Sequence, residues 1–183
     1  MRVSKEKAAE NHERILKAAS RLIRERGIAG AGVDALTEAA GMTHGSIYSQ
    51  FGSKERLVED ALAYVIAGKE QEMREVSTLG DYVAKYLSPQ HRDEPGGGCP
   101  IAALCCEMPR QCQGMRERFT AGLRGMIREL GGRMGSAHKQ RQRDDKALAM
   151  VASLVGALVL ARAVNDPKLS QDVLRATKNR LNV

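Results

Sequence analysis

One stretch of the chain, residues 34–54, restricts the possible folds more than any other. Its first half has apolar residues at helical spacing and ends at Gly41, a residue type that adopts the left-handed conformation at a helix end without strain. Two residues later, Thr43 is placed to cap a second helix. In that helix Ile47 and Phe51 lie four residues apart and therefore face the same way, into a shared core. The stretch predicts two short helices joined by a tight glycine turn.

The outward side of the second helix carries hydrogen-bonding groups and one phenol, and it is too polar to be buried. A helix, a glycine turn and a second helix with a polar outer face are typical of the helix-turn-helix unit, whose second helix enters the major groove of DNA. The spacing alone also fits an ordinary helical hairpin. The outward-facing residues are Thr43, His44, Ser46, Tyr48, Ser49 and Gln50.

A longer set of residues resembles the recognition region of the TetR/AcrR family of bacterial transcriptional regulators. The matching residues are Gly41, Thr43, Gly45, Tyr48, Phe51, Ser53, Lys54, Glu55 and Leu57. The resemblance extends over roughly residues 12–66. It implies a three-helix DNA-binding domain followed by a larger helical domain for ligand binding and dimerisation. It also implies a repressor that binds a palindromic operator in double-stranded DNA as a homodimer and is released by an effector.

The resemblance also assigns roles to individual residues. Contacts to phosphates are carried over to Thr43, Tyr48 and Lys54, contacts to base edges to His44, Ser46, Ser49 and Gln50, and close approach to the DNA backbone to Gly45. A glutamine can bind adenine through two hydrogen bonds. One departure is Val33, which stands where the family often has a threonine that caps a helix and touches a phosphate. This departure supports the alternative function, a protein-interaction adaptor with a non-functional helix-turn-helix.

The composition favours an all-α protein. Hydrophobic residues make up 43% of the 183 residues but aromatic residues only 3%, and stretches with the 3.6-residue period are long. The net charge of +7 suits a polyanionic partner without requiring one. Residues 1–26 lack the apolar core of a signal peptide, and the most apolar stretch, residues 147–161, is shorter than the roughly 20 residues of a membrane span. We expect a cytoplasmic protein that does not contact a membrane.

The helical pattern predicts about nine helices in two domains. A DNA-binding domain is expected over residues 8–68, with the helix-turn-helix at about residues 34–53, and an effector-binding and dimerisation domain over residues 77–183. The first helix is expected to end near Gly27. A fourth helix, capped by Ser53, joins the two domains.

In the second domain the pattern predicts a flexible loop at residues 93–98, a long helix over residues 115–134 and a basic connector at residues 138–143. Five glycines near the end of the long helix are expected to weaken it, by roughly 1 kcal/mol each relative to alanine. The helix over residues 145–164 is apolar on nearly every side, so it needs partners on more than one face. We therefore expect homodimerisation through the last two helices, at about residues 145–180.

Four cysteines, Cys99, Cys105, Cys106 and Cys112, lie within fourteen residues. In one straight helix, the spacing of seven would put Cys99 and Cys106, and likewise Cys105 and Cys112, on common faces but too far apart for a disulfide. Metal binding is the weakest interpretation, because the paired spacing typical of zinc ligands is missing. Two others remain open: inert buried thiols, or a low-pKa thiol that senses oxidants or electrophiles beside an arginine.

The methionine-rich second domain suits a pocket for a small apolar or electrophilic effector, because methionine fits irregular shapes. The predicted pocket residues are Leu104, Cys105, Met108, Phe119, Met126 and Met150. No catalytic site, metal or cofactor is predicted. A thiol enzyme needs a histidine that activates its cysteine, and the four histidines are scattered through regions predicted to face DNA or to form loops and turns.

Overall fold

The computed structural model describes residues 5–134 and 140–181, and every regular element within them is helical. The α-helices are α1 Lys5–Gly30, α2 Val33–Ala40, α3 His44–Phe51, α4 Lys54–Glu75, α5 Leu79–Tyr86, α6 Pro89–Asp93, α7 Pro100–Leu104, α8 Gln113–Arg133, α9 Gln140–Ala163 and α10 Pro167–Leu181. Two 3₁₀ turns, Pro95–Gly97 and Met108–Arg110, flank α7. The all-α prediction is confirmed, and the helix that was not predicted from the sequence is the short α6.

The first hydrophobic core lies among α1, α2, α3 and α4, and residues of α7, the second 3₁₀ turn and the start of α8 complete it. Side chains from all four helices are buried there, among them Ile15, Leu36, Ile47 and Leu57. Gly41 ends α2 in the left-handed conformation, with φ of 59°, so the chain turns sharply before α3 begins. The helix, glycine turn and helix predicted from the sequence are therefore present, and they pack on α1 and α4.

The first helix continues beyond its predicted end. Gly27 has φ of 74° and ψ of 169°, which interrupts the helix at the predicted position, but helical structure resumes up to Gly30. The N–H of the next residue, Ile28, donates to a carboxylate oxygen of Glu107 at 3.0 Å. Gly27 therefore kinks α1, and the kink is tied to the segment that follows α7.

Helix α8 lies against α4 at two of its glycines. A β-carbon on Gly122 would lie 2.7 Å from the side chain of Ile66, and one on Gly125 would overlap the side chain of Glu70. These glycines let the two helices approach closely, a role that helical spacing does not reveal. Within the described residues α8 is continuous to Arg133. The residues that follow, 135–139, lie outside the described part of the chain.

The prediction of a flexible loop at residues 93–98 is wrong. This segment forms a 3₁₀ turn and packs on α1, with Gly96 and Gly98 buried. A β-carbon on Gly96 would overlap the Glu25 side chain, and Gly98 O accepts a hydrogen bond from Arg24 Nη1 at 2.7 Å. The glycines are needed for close packing, and this is why the composition resembles that of a loop.

A second core lies among α5, α7, α8, α9 and α10. Helix α9 buries one side, including Leu154, while Leu148 and Leu160 on the other side are 50% and 56% exposed. The whole of α9 is long and apolar enough to cross a membrane by length and composition, and the apolar stretch at residues 147–161 covers only part of it. It packs against α8 and α10, which is also the arrangement of a core helix. Residues 140–143 form the first turn of α9 and not the predicted connector, whose remaining residues, 138–139, lie outside the described chain.

Candidate nucleic-acid interface and internal cavity

Helix α3 begins at its predicted cap. Thr43 has an extended backbone, and its Oγ1 accepts a hydrogen bond from the backbone N–H of Ser46 at 3.2 Å. The two hydroxyl oxygens are also hydrogen-bonded, 2.9 Å apart. This cap fixes both the start of α3 and the position of the Ser46 hydroxyl, and a cap of this kind contributes about 1 kcal/mol.

The first residue of α3, His44, is paired with the first turn of α2. His44 Nε2 lies 2.8 Å from Oδ1 of Asp34, and both side chains are largely exposed. This contact was not predicted from the sequence, because helical spacing does not report pairs between different helices. This pair holds the His44 imidazole at the edge of the exposed face of α3. There the imidazole could bind a hydrogen-bond acceptor of DNA in place of the Asp34 carboxylate.

The exposed face of α3 combines a phenol, a hydroxyl and a bare stretch of backbone. Tyr48 is 48% exposed, and the hydroxyl of Ser49 donates to Ser46 O at 3.0 Å. Gly45 is exposed, and a β-carbon there would meet only Thr43 Oγ1, at 3.9 Å. No neighbour in the described chain requires glycine at this position, so the open backbone is available to an external partner.

Gln50 and Lys54 lie at the far end of the same face. Gln50 is half-buried, and its Oε1 is buried without a hydrogen-bond partner among the described residues. An adenine amino group could supply the missing donor only after the Gln50 side chain rotates out to solvent. Lys54 is the first residue of α4, directly after the Ser53 cap, whose Oγ accepts from Arg56 N at 3.1 Å. The structure therefore brings the predicted DNA-contacting residues together on α3 and the start of α4.

The packing behind α3 and α2 fixes the orientation of this surface. His12 of α1 stacks on Phe51, with ring centroids 4.5 Å apart and the rings inclined by 17°. Arg14 Nη2 lies 3.3 Å from the sulfur of Met42 in the turn between α2 and α3. The N-cap of α2 is Gly32, which makes no side-chain cap, and Val33 follows it as the first helical residue. The start of α2 therefore lacks the threonine hydroxyl that the resembling family often has at the position of Val33.

A cavity of about 220 Å³, partly open to solvent, lies beside α4, α5, α6, α8 and residues 97–101. Its lining includes Lys69, Met73, Tyr82, Tyr86, His91 and Cys99. Of the six residues predicted for an effector pocket, Met126 lines this cavity. The others lie elsewhere: Leu104 and Met108 in the first core, Phe119 against that core, Met150 in the second core, and Cys105 half-buried in the turn after α7.

Two polar groups of the cavity wall, His91 and Tyr86, are buried and neutral. His91 accepts a hydrogen bond from the backbone N–H of Cys99 at Nε2, 2.9 Å away, so its Nδ1 donates to Tyr86 O at 2.7 Å. Burial is the main reason that the pKa of His91 is lowered to about 4, so the ring is neutral at pH 7. Burial also raises the pKa of Tyr86, with a smaller contribution from the neighbouring Cys99 thiol, and the buried hydroxyl has no hydrogen-bond partner of regular geometry among the described residues. These residues were not predicted from the sequence; the signal that could have found them was Tyr82 and Tyr86 at helical spacing in a chain with few aromatic residues.

The segment that carries Cys99 is bonded directly to α1. Arg24 donates through Nη1 to Gly98 O at 2.7 Å and through Nε to Ser20 O at 2.8 Å. The carboxylate of Glu107 accepts from Ile28 N at the α1 kink. One hydrogen bond therefore joins α1 to the cavity wall at Gly98, and another joins α1 to the segment that follows α7 at Glu107.

The cysteines do not share the faces of one helix, because α7 ends at Leu104 and the chain turns there. Cys99 lies in the cavity wall, and Cys105 Sγ lies 3.8 Å from Cys106 Sγ. Cys112 Sγ lies 3.4 Å from a Glu59 carboxylate oxygen. Cys106 and Cys112 are exposed, so the interpretation as inert buried thiols does not hold for these two.

Residues 15–61 match the family described as bacterial regulatory proteins, tetR family. Similar solved structures include reduced Escherichia coli NemR, with 22% identity, a TM-score of 0.78, and coverage of 94% of this chain and 95% of that one. A TetR-family regulator from Agrobacterium tumefaciens has 20% identity, a TM-score of 0.78, and coverage of 96% and 100%. No curated protein sequence has a significant match. Residues 15–61 are therefore similar to the tetR family of bacterial regulatory proteins, and the chain as a whole shares the fold of these solved regulators.

Proposed function

We propose that this DNA-binding transcriptional regulator is a cytoplasmic, homodimeric repressor that binds a palindromic operator and is released by a small effector. The observation that carries the DNA-binding part is the exposed face of α3. It offers hydrogen-bonding side chains beside the open backbone of Gly45, and nothing in the described fold explains that opening. Phosphate contacts from Thr43, Tyr48 and Lys54 would position α3, and His44, Ser46, Ser49 and Gln50 would read base edges.

The proposed dimer interface is the exposed side of α9 and α10. Leu148 and Leu160 of α9 and Leu169 of α10 are 50%, 56% and 47% exposed. Two copies related by a twofold axis would bury these side chains against each other, since the same patch serves both partners. The same axis would place two α3 helices for half-sites about one helical turn apart.

The proposed effector site is the internal cavity between the two domains proposed from the sequence, residues 8–68 and 77–183. Its volume of about 220 Å³ fits one ring or a short chain, and its wall is neutral at Tyr86 and His91. A ligand acceptor would bond the unpartnered Tyr86 hydroxyl. Bacillus subtilis FadR, which has 19% identity and a TM-score of 0.56, has been solved in complex with stearoyl-CoA. That complex is an example of ligand binding by a protein of similar fold. The chemistry of the ligand bound here depends on the residues that line the cavity of this chain.

The experiment is selection of bound genomic fragments by the reduced protein, followed by footprinting and sedimentation. We expect a palindromic site protected on both half-sites by one dimer. Leu160→Glu should give a monomer that loses the paired footprint, whereas Thr120→Glu, an equally charged change on exposed α8, should not. Protection of a single half-site by a wild-type monomer would overturn the dimeric repressor. If no genomic fragment were enriched, the result would favour the alternative function of a protein-interaction adaptor, which the departure at Val33 supports.

A further inference from the structure

Two adjacent thiols lie at the surface in the turn between α7 and the second 3₁₀ turn. Cys105 Sγ and Cys106 Sγ are 3.8 Å apart, too far for a bond between them but close enough to bind one atom together. Cys106 is exposed and Cys105 is half-buried, with its sulfur 3.9 Å from Ala102 O. The pair therefore has one side open to solvent.

The surroundings of Cys105 argue against this thiol as a simple oxidation sensor. Burial raises the pKa of Cys105 to about 11, so this thiol is protonated at neutral pH. Attack by Cys105 on a peroxide requires its thiolate, which is scarce under these conditions. A reagent that reacts with protonated thiols, and removes their protons as part of the reaction, suits the site better.

The number of ligands also restricts the occupant. Within residues 5–134 and 140–181 no group of three or more His, Cys, Asp or Glu side chains could hold a metal ion. Structural zinc needs four ligands. A linear two-coordinate metal holds its sulfurs on opposite sides, whereas these sulfurs lie side by side. A pyramidal centre that already carries one organic group needs only two neighbouring sulfurs.

We propose that Cys105 and Cys106 form a chelating site for trivalent arsenicals of the arsenoxide class. In R–As=O both thiols add to arsenic, two As–S bonds form, and the oxygen leaves as water with the two thiol protons. Arsenic stays trivalent, and no oxidant or reductant is consumed. The product is a ring that contains arsenic, both sulfurs and the Cys105–Cys106 peptide.

The site is directly connected to the DNA-binding domain. The residue after Cys106 is Glu107, whose carboxylate accepts from Ile28 N at 3.0 Å at the kink of α1. A β-carbon on Gly27 would lie only 2.6 Å from that carboxylate, so the contact leaves little freedom to move. Ring closure constrains the peptide between the cysteines and displaces Glu107, which loosens α1. This consequence for DNA binding rests on the proposed repressor function, whereas arsenical binding does not.

The test is titration of the reduced full chain with phenylarsine oxide, followed by intact mass and by counting the remaining free thiols. We expect one arsenical per chain, loss of two thiols, and reversal by excess dimercaptopropanol but not by the same concentration of a monothiol. Cys105→Ser and Cys106→Ser should each weaken binding by about 10²-fold or more, because the second As–S bond is intramolecular. Cys99→Ser and Cys112→Ser are matched controls and should bind like the wild type.

Unchanged affinity in Cys106→Ser, or consumption of Cys99 or Cys112 in the wild type, would overturn the site. A second measurement follows operator binding with and without phenylarsine oxide. Release of the wild type but not of Cys106→Ser supports the connection through Glu107. If one arsenical were bound per chain but operator affinity did not change, the connection through Glu107 would be wrong and the arsenical site would remain supported. If the protein bound no operator even without the arsenical, the result would count against the proposed function alone.

Discussion

Replacement of Gly45 by alanine should separate DNA binding from stability. Gly45 is the second residue of α3 and is not among the glycines with positive φ. The added methyl group would meet only Thr43 Oγ1, at an ordinary distance of 3.9 Å. Alanine is the better helix former, so we expect the free energy of unfolding to rise by about 0.5–1 kcal/mol.

The same methyl group would stand where the DNA backbone approaches α3. A phosphate that is held away from the helix makes fewer close contacts with it. We therefore expect the binding free energy to weaken by about 1–2 kcal/mol, which lowers the affinity for DNA roughly 5- to 30-fold. Because the contact is to the backbone, the loss should be similar on operator and random duplexes. Urea unfolding and fluorescence anisotropy with both duplexes measure the two effects.

Gly68→Ala is the matched control. Gly68 lies within α4 and is exposed, and a β-carbon added there would have nothing within 4 Å, so this variant should gain similar stability without any change in DNA affinity. If Gly45→Ala bound DNA as tightly as Gly68→Ala and the wild type, α3 would not approach DNA through this backbone, and the assignment of the interface would fail.

Three further changes test other parts of the structure. Tyr48→Ala should weaken binding to all duplexes, whereas Gln50→Ala should mainly lower discrimination between operator and random DNA; equal losses on both duplexes for both variants would contradict this division. Gly122→Ala should destabilise the fold by about 1–3 kcal/mol in urea unfolding, because its β-carbon would overlap Ile66, and an increase in stability would show that the two helices separate easily. The pKa of His91 is near 6.5 in the unfolded chain and about 4 in the folded chain, so acid favours the unfolded state. The free energy of unfolding should therefore be highest above pH 6.5 and fall by at most about 3 kcal/mol as the pH is lowered to 4. His91→Gln should flatten this part of the urea-unfolding profile, and an unchanged slope would remove His91 as the cause.

The helix-turn-helix could be predicted from the sequence because its signals are local. Gly41 and Thr43 mark a helix end and a helix start by their own backbone preferences, and Ile47 and Phe51 report a buried face by their spacing. These properties depend on residues only a few positions apart, so no knowledge of the rest of the fold was needed.

The cavity and the links between domains depend on contacts that are distant in the sequence. Gly98 and Arg24 are separated by 74 residues, and Glu107 and Ile28 by 79. Glycines that allow close packing have the same composition as a flexible loop, so the role of Gly98 could not be recognised. The predicted pocket residues and the described cavity share only Met126 for a related reason: Met108 is apolar enough for either a cavity wall or a core, and only packing decides between them.

The most direct test of sequence-specific regulation is the affinity of the reduced protein for duplex DNA from its own upstream region against a scrambled duplex at physiological salt. We predict a preference of about a thousandfold or more, since binding without sequence specificity is no tighter than about 10⁻⁶ M. Equal affinity for the selected genomic duplexes, the upstream duplex and the scrambled duplex would contradict a sequence-specific regulator.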